Sequence, residues 1–368
     1  MFNQVKISSI FLFISSLIFW GCDDKSQPDE QEAWPIGQNV YIAGFEEIQD
    51  NSEARLWKNG KMENLASSVG GTVRSSEVTH ITGARSVYVS GNDVYVAGYE
   101  IIYSDGKDAL QARLWKNGEI QPLENGVYDQ TLSVFVTDND VYVLGSESLD
   151  TWPSSYGRWS YKYWKNGKAV IFSEGKPGEV SAGALFIEKG VSSIFVSDGV
   201  VYVAGGYGNQ AKLWIDGVEE NLTDGAFANS VFVSGDDVYV VGNGSSGAKL
   251  WKNGVQENLV NGDDAYSVYV SGNDVYVAGR TGFEKAILWK NGIAQPIADD
   301  KDAEIFTSVY VSNEDVYTSG YVRLCEPVYK DSSLKWCDLK ATLWKNGKIL
   351  NLKTTEKNNS QALSVFVK

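Results

Sequence analysis

A single histidine, His80, limits the chemistry open to this chain of 368 residues. Ser-His-Asp and Cys-His mechanisms need an imidazole held between a nucleophile and an orienting group, and multi-histidine zinc sites need several. His80 supplies neither unless distant partners converge on it. Carboxylates are the other candidates. Glu46, Glu47, Glu100, Asp105, Glu147 and Asp150 fall in long connections between repeated segments, and two carboxyls flanking a glycosidic bond make a hydrolase. No spacing singles out two of them, so no catalytic residue is assigned. Asp93, Asp140, Asp237, Asp274 and Asp315 recur at one position and look like a ladder of calcium ligands. They lack the dense acidic spacing of a calcium loop and read as turn residues. No metal and no cofactor is expected.

The formal net charge is −15 and the pI about 4.6. Phosphate binding needs a positive field, so nucleic acid is excluded as the main partner. With 43% hydrophobic and 21% charged residues the composition is globular, and 37 Gly against 7 Pro with 12% aromatics suits a turn-rich β protein.

The elements that would position any site repeat along the chain. Each unit reads Ser-Val-(Tyr/Phe)-Val, a turn, Val-Tyr-Val-Ala-Gly, a variable stretch, Leu-Trp-Lys-Asn-Gly, and a short polar run. The tryptophan recurs at 57, 115, 164, 214, 251, 289 and 344, and the first-segment serine at 86, 133, 193, 230, 267, 308 and 364. Alternation of β-branched and aromatic residues makes the first three segments strands. Asn-Gly, or Asp216-Gly217, suits a type I′ hairpin turn. The fourth run accepts Pro122 and Pro296. Proline has no ladder donor, so this run is the outer edge and the Ser-Val-Tyr-Val strand the innermost.

These units predict an all-β fold: a seven-bladed β-propeller of four-stranded antiparallel blades. The first unit begins at its second strand, and the chain ends on an unpaired first strand, Ser364-Val365-Phe366-Val367. That strand is expected to complete the first blade and close the ring; an open solenoid is the other arrangement. One tryptophan per blade on a middle strand reads as packing between blades rather than as a sugar-stacking ring.

Connections of constant length fall at one end of the blades and all length variation at the other, the top face. Loops on a rigid scaffold carry function. Tyr99, Tyr103, Trp152, Tyr156, Trp159, Tyr161, Tyr329 and Trp336 would form an aromatic wall there. Two register positions diverge in every unit: the residue after the second-strand glycine and the residue before the first-strand serine. From these positions and the long loops, Tyr99, Trp152, Trp159, Arg280 and Tyr321 are expected to bind ligand, with Arg85 and Tyr266 at the channel mouth. Cys325 and Cys337 stand twelve positions apart in the longest top connection. In an oxidising compartment they would form a disulfide, worth about 3 kcal/mol.

At the N-terminus, Lys6 precedes a mostly apolar stretch from Ile7 to Trp20. It is shorter than the roughly 20 residues of a membrane span and reads as an export signal. The following Gly21-Cys22 resembles the lipobox of bacterial lipoproteins, although Phe19 and Trp20 depart from its usual Leu and small residue. The resemblance implies a signal peptide over 1–21 and lipid on Cys22; an ordinary signal peptide or short anchor is the other reading. Residues 22–38 read as a solvated acidic tether before the propeller at 39–368. Acidic residues after the cysteine resemble the surface-export signal of Bacteroidetes lipoproteins, whereas in enteric bacteria Asp23 would imply inner-membrane retention.

Nearly the whole chain thus resembles propeller-type lipoproteins of Bacteroidetes-like envelopes. That implies a monomeric, palmitate-bearing protein of the outer membrane or cell surface, held to the membrane by its lipid and binding a glycan or a protein at the top face. A glycan-cleaving hydrolase or lyase and a structural envelope subunit are the alternatives.

Overall fold

The structure, a computed structural model, describes residues 34–48, 51–67, 80–104, 107–124, 129–137, 139–149, 159–174, 190–282, 285–297, 303–327, 335–355 and 359–368. The expected signal peptide, Cys22 and most of the tether lie outside these residues. The described residues form strands and turns with no helix.

Five sheets are four-stranded, antiparallel and built from consecutive segments. In the Trp251 sheet the order is Gly225–Ser234, Asp237–Gly244, Gly247–Lys252 and Val255–Asn258. The inner strand comes first and the polar run lies at the edge, as the proline positions predict. A sixth, eight-stranded sheet comprises two such sets joined by one parallel pair, Ser52 with Ile81. Its first set takes the C-terminal strand Ser360–Val367, which pairs antiparallel with Val40–Ile48 from Val367 opposite Val40 to Ser360 opposite Glu46. This array is consistent with a β-propeller.

The two middle strands are buried on both faces, so they need near-continuous apolar runs. All seven repeat tryptophans are at most 1% exposed. Six core clusters each span two neighbouring sheets, and a seventh joins the two sets of the eight-stranded sheet; one joins Tyr239, Val241 and Leu250 to Val268, Val277 and Trp289. Five indoles also donate to a carbonyl of the link leaving the preceding repeat, as Trp251 does to Thr223 at 2.9 Å and Trp57 to Lys353 at 2.8 Å. The structural reading of these residues holds: they bolt one sheet to the next.

The turn end of each sheet is made by local chemistry. Asn253 and Gly254 have φ of 50° and 75°, the left-handed pair of a type I′ turn. Asn253 accepts from the Val238 amide and donates to Asp237, and Asp237 also takes Lys252 at 2.7 Å. The same set recurs around Asp93, Asp140, Asp274 and Asp315. These carboxylates are turn residues with their acceptor sites engaged, which explains the ladder without calcium.

Every inner strand carries a β-bulge just before its serine, where the ladder skips a single residue: Leu363, Arg85, Leu132, Ser192, Asn229, Tyr266 or Thr307; in Gly225–Ser234 and Ala303–Ser312 the register also shifts once nearer the start of the strand. Opposite each bulge lies the second-strand glycine. At Gly242 a Cβ would stand 2.0 Å from the Phe227 carbonyl oxygen, so no side chain fits. The Gly of the Val-Tyr-Val-Ala-Gly segment is therefore required by the close approach of the bulged strand.

Within the expected tether, Trp34 packs on a core cluster and Gln38 donates to Ser312 at 2.9 Å and accepts from Tyr317. These two residues belong to the packed body.

Candidate functional site

The position before each inner-strand serine, which diverges in sequence, is the bulge residue itself. Unpaired in the ladder, it is free of the scaffold's demand for one residue type, and a bulge re-aims its side chain. Two of the seven serve the framework: Asn229 donates to the Ala265 carbonyl and Thr307 to that of Ala362, each on the next repeat.

The other divergent position, after the second-strand glycine, has a ladder partner three residues before the serine. The pairs differ between repeats: Gly83 with Tyr99, Gln130 with Ser146, Phe227 with Asn243, Asp264 with Arg280, Ile305 with Tyr321. Such pairs sit beside the bulges, at the loop end.

In the Trp289 sheet these positions converge. Arg280 places Nε and Nη2 each 2.7 Å from Oδ2 of Asp264. The Tyr266 hydroxyl donates to the same oxygen at 3.3 Å, and Asn243 of the neighbouring sheet donates to Oδ1 at 2.6 Å. Asp264 is 8% exposed, whereas the Arg280 side chain is 38% exposed. Burial, then the Asp264 charge, pushes the Tyr266 phenol above its ordinary range. For Arg280, burial disfavours the charge and the hydrogen bonds to Asp264 outweigh it, raising its affinity for the proton. Tyr321, at the matching register of the Trp344 sheet, lies close enough to bear on the ionisation of both.

Three of the seven expected binding residues, Tyr266, Arg280 and Tyr321, are thus brought together around Asp264. Arg85 and Tyr99 form a separate pair, with the guanidinium 5.3 Å over the ring. Tyr99 is only 5% exposed, and its ring fills the space that Gly83 leaves by lacking a Cβ. Trp159, expected in an exposed loop, begins the strand Trp159–Lys165, is 3% exposed, and packs with Tyr161, Val191 and Trp214. Neither Tyr99 nor Trp159 presents a free face to a ligand, because the strands here run further than the repeat spacing implies. Trp152 and Tyr156 lie outside the described residues, as do Tyr329 and the side chains of Tyr103 and Trp336.

Asp264 and Asn243 were not among the expected binding residues. Aligning the units three positions before the serine would expose Asp264 as the ladder partner of Arg280. A second missed pattern is the base two residues before the tryptophan. Arg55, Arg113, Lys162, Lys212 and Lys249 are buried there, each paired with a carboxylate. This binds three of the six carboxylates offered for catalysis. Glu46 is held by Arg55 at 3.2 Å, Glu100 by Arg113, and Glu147 by Lys162 at 2.9 Å. Glu47 accepts from Asn359; Asp105 and Asp150 lie outside the described residues. Among the described residues no group of three or more His, Cys, Asp or Glu could hold a metal.

Cys325 and Cys337 are direct cross-strand partners on the hairpin of Asp315–Pro327 and Lys335–Lys345, 4.0 Å apart at Cα. A cavity of about 280 Å³ lies among the turns of the Trp289 and Trp344 sheets, lined in part by Tyr276, Pro296, Phe306 and Asn346. None of the expected binding residues lines it.

No protein-family model matches the sequence, and no curated protein matches it. Among solved structures, the chain is similar to BamB from Moraxella catarrhalis, at 11% identity over 74% of this chain and 89% of that one, with a TM-score of 0.37. It is similar to YjhT at 12% identity over 77% and 96%, with a TM-score of 0.38. A DUF4623 family protein from Bacteroides eggerthii is similar at 10% identity over 92% and 84%, with a TM-score of 0.35. Likenesses this distant carry no functional argument.

Proposed function

We propose that this chain is an extracytoplasmic binding module: a closed seven-bladed β-propeller, anchored through lipid on Cys22 in the bacterial envelope, that presents its loop end to a glycan or protein ligand. The observation that carries the reading is the convergence of Tyr266, Arg280 and Tyr321 around Asp264 at positions the scaffold leaves free to vary.

Counting the eight-stranded sheet as two blades joined at Ser52 and Ile81 gives seven. The bulge before the serine of every repeat and the pairing of Ser360–Val367 with Val40–Ile48 support that count and the closure. The Cys325–Cys337 disulfide pins the longest hairpin, supported by their cross-strand pairing. The export signal and acidic tether read from the sequence support a place on the outer membrane or cell surface. A hydrolase draws less support, since Glu46, Glu100 and Glu147 are committed to buried ion pairs.

Purified full-length chain in detergent, tested for binding and turnover on a polysaccharide panel and for capture of envelope proteins, tests the reading. Saturable binding without turnover, lost on substitution at the Asp264 cluster, is expected. Turnover, or binding that ignores the cluster, would overturn it.

A further inference from the structure

Resting on the binding-module reading, we infer that the Asp264 cluster takes an uncharged saccharide through adjacent hydroxyl groups, and not an acidic one. The argument is an inventory of donors and acceptors. Asp264 is largely engaged: Oδ2 accepts from Arg280 Nε, Arg280 Nη2 and Tyr266, and Oδ1 accepts from Asn243. Oδ2 has no acceptor site left for a ligand, and Oδ1 keeps one on a residue only 8% exposed. Its role is to hold the guanidinium and to meet its charge at 2.7 Å, so the half-exposed arginine attracts a distant anion only weakly.

What the cluster still offers is complementary to a hydroxyl pair. The Nη1 protons of Arg280 have no partner among the described residues, and they project as a planar edge. The Tyr266 hydroxyl spends its proton on Asp264, which leaves its oxygen lone pairs as acceptors. A sugar hydroxyl both donates and accepts, so two neighbouring hydroxyls can take the guanidinium protons and return one to Tyr266. A carboxylate or sulfate accepts only, and would set its charge against the lone pairs of Tyr266. Tyr266 adds ring surface beside these groups, and Tyr321 stands at the matching register of the next sheet, paired with Ile305; such rings suit the C–H face of a pyranose. The location fits an extended chain. In the Trp214, Trp251 and Trp289 sheets the hairpins end soonest after the second-strand glycine, at Tyr207 with Gln210, Gly244 with Gly247 and Thr281 with Lys285. The hairpin bearing Tyr321 runs on to Pro327 beside them. The cluster therefore stands at the foot of a step, where a polymer can lie across the low sheets against the raised hairpin.

The test is equilibrium binding of the full chain to neutral polysaccharides (β-glucan, mannan, galactan) and acidic ones (pectate, alginate) at low and high salt. Binding to a neutral polymer, indifferent to salt, is expected. Y266F removes the acceptor and R280K keeps a cation on Asp264 while losing the planar edge; each should weaken binding about thirtyfold at an unchanged melting temperature. D264N uncovers the arginine charge, so neutral binding should fall and salt-sensitive pectate or alginate binding should appear. Wild-type binding to acidic polymers through these residues would overturn the inference while leaving the binding module intact. Neutral binding untouched by Y266F and R280K would also overturn it. Binding to no polysaccharide, with a protein captured through the cluster instead, would overturn the saccharide and keep the module; binding of neither would overturn both.

Discussion

The Ser364 hydroxyl accepts the amide proton of Val87 at 3.2 Å, although 277 positions separate the two residues in sequence. It is one of seven equivalent bonds. Ser86 accepts from Val134, Ser133 from Ile194, Ser193 from Val231, Ser230 from Val268, Ser267 from Val309, and Ser308 from Val365. The rings two residues further along each strand follow the same succession. Tyr88, Phe135, Phe195, Phe232, Tyr269, Tyr310 and Phe366 each touch the next at 4.6–5.0 Å between centroids, and Phe366 returns to Tyr88. The inner strands are thus joined by a hydroxyl and a ring contact at every step.

Removing residues 364–368 takes away two serine bonds, both contacts of Phe366, and most of the pairing with Val40–Ile48. The truncated chain should melt many degrees lower and expose the edge of Val40–Ile48 to association. Thermal unfolding with light scattering checks this, and a truncated chain that melts like the full one would sink the proposed closure.

Trp251→Ala should cost about 3–5 kcal/mol by leaving a cavity between two sheets and orphaning the Thr223 carbonyl. Denaturant titration gives the value. A cost near zero would show that the repeat tryptophans are not the bolts described above. R280K, at the half-exposed rim, should barely move the same titration.

Acid sensitivity follows from the turn aspartates. The hydrogen bonds from Lys252, then from Asn253, hold the Asp237 carboxyl below its ordinary value of 3.8; Asp93, Asp140 and Asp274 are lowered in the same way. A depressed folded-state pKa contributes stability that is complete above the unfolded value. It is lost as pH falls through the folded one. The stability gap between wild type and Asp237→Asn should therefore be full at neutral pH and shrink in acid below about pH 4. A gap that stays constant into strong acid would contradict the ion-pair account.

Cys22→Ala should move the protein from the membrane fraction to the soluble envelope fraction, and the native protein should carry lipid mass on its first mature residue. Unchanged fractionation with no added mass would remove the anchor from the proposed function. The outcome does not bear on the rim site.

Much of the framework was legible from short-range pattern. Val94-Tyr95-Val96 alternates with the period of a strand, and Asn253-Gly254 names its own turn because few residues take two left-handed conformations in a row. Trp251 announced itself as packing by recurring at one register. The same reasoning placed Trp159 and Tyr99 at the exposed rim, and there tertiary structure decided otherwise. Where a strand ends depends on what its neighbour offers to pair with, and the Trp159 strand finds partners as far out as Ser148. The candidate site was half legible. Divergence marked Tyr266, Arg280 and Tyr321, but nothing local tied them to Asp264 or to Asn243 on another sheet. Their meeting depends on a one-residue bulge, which breaks the two-residue alternation at Tyr266, and on the angle at which adjacent sheets pack. Sequence by itself determined the strands, their turns and the positions free to vary. Which of those positions meet was decided by register and packing, because contacts between sheets join residues that no local period relates.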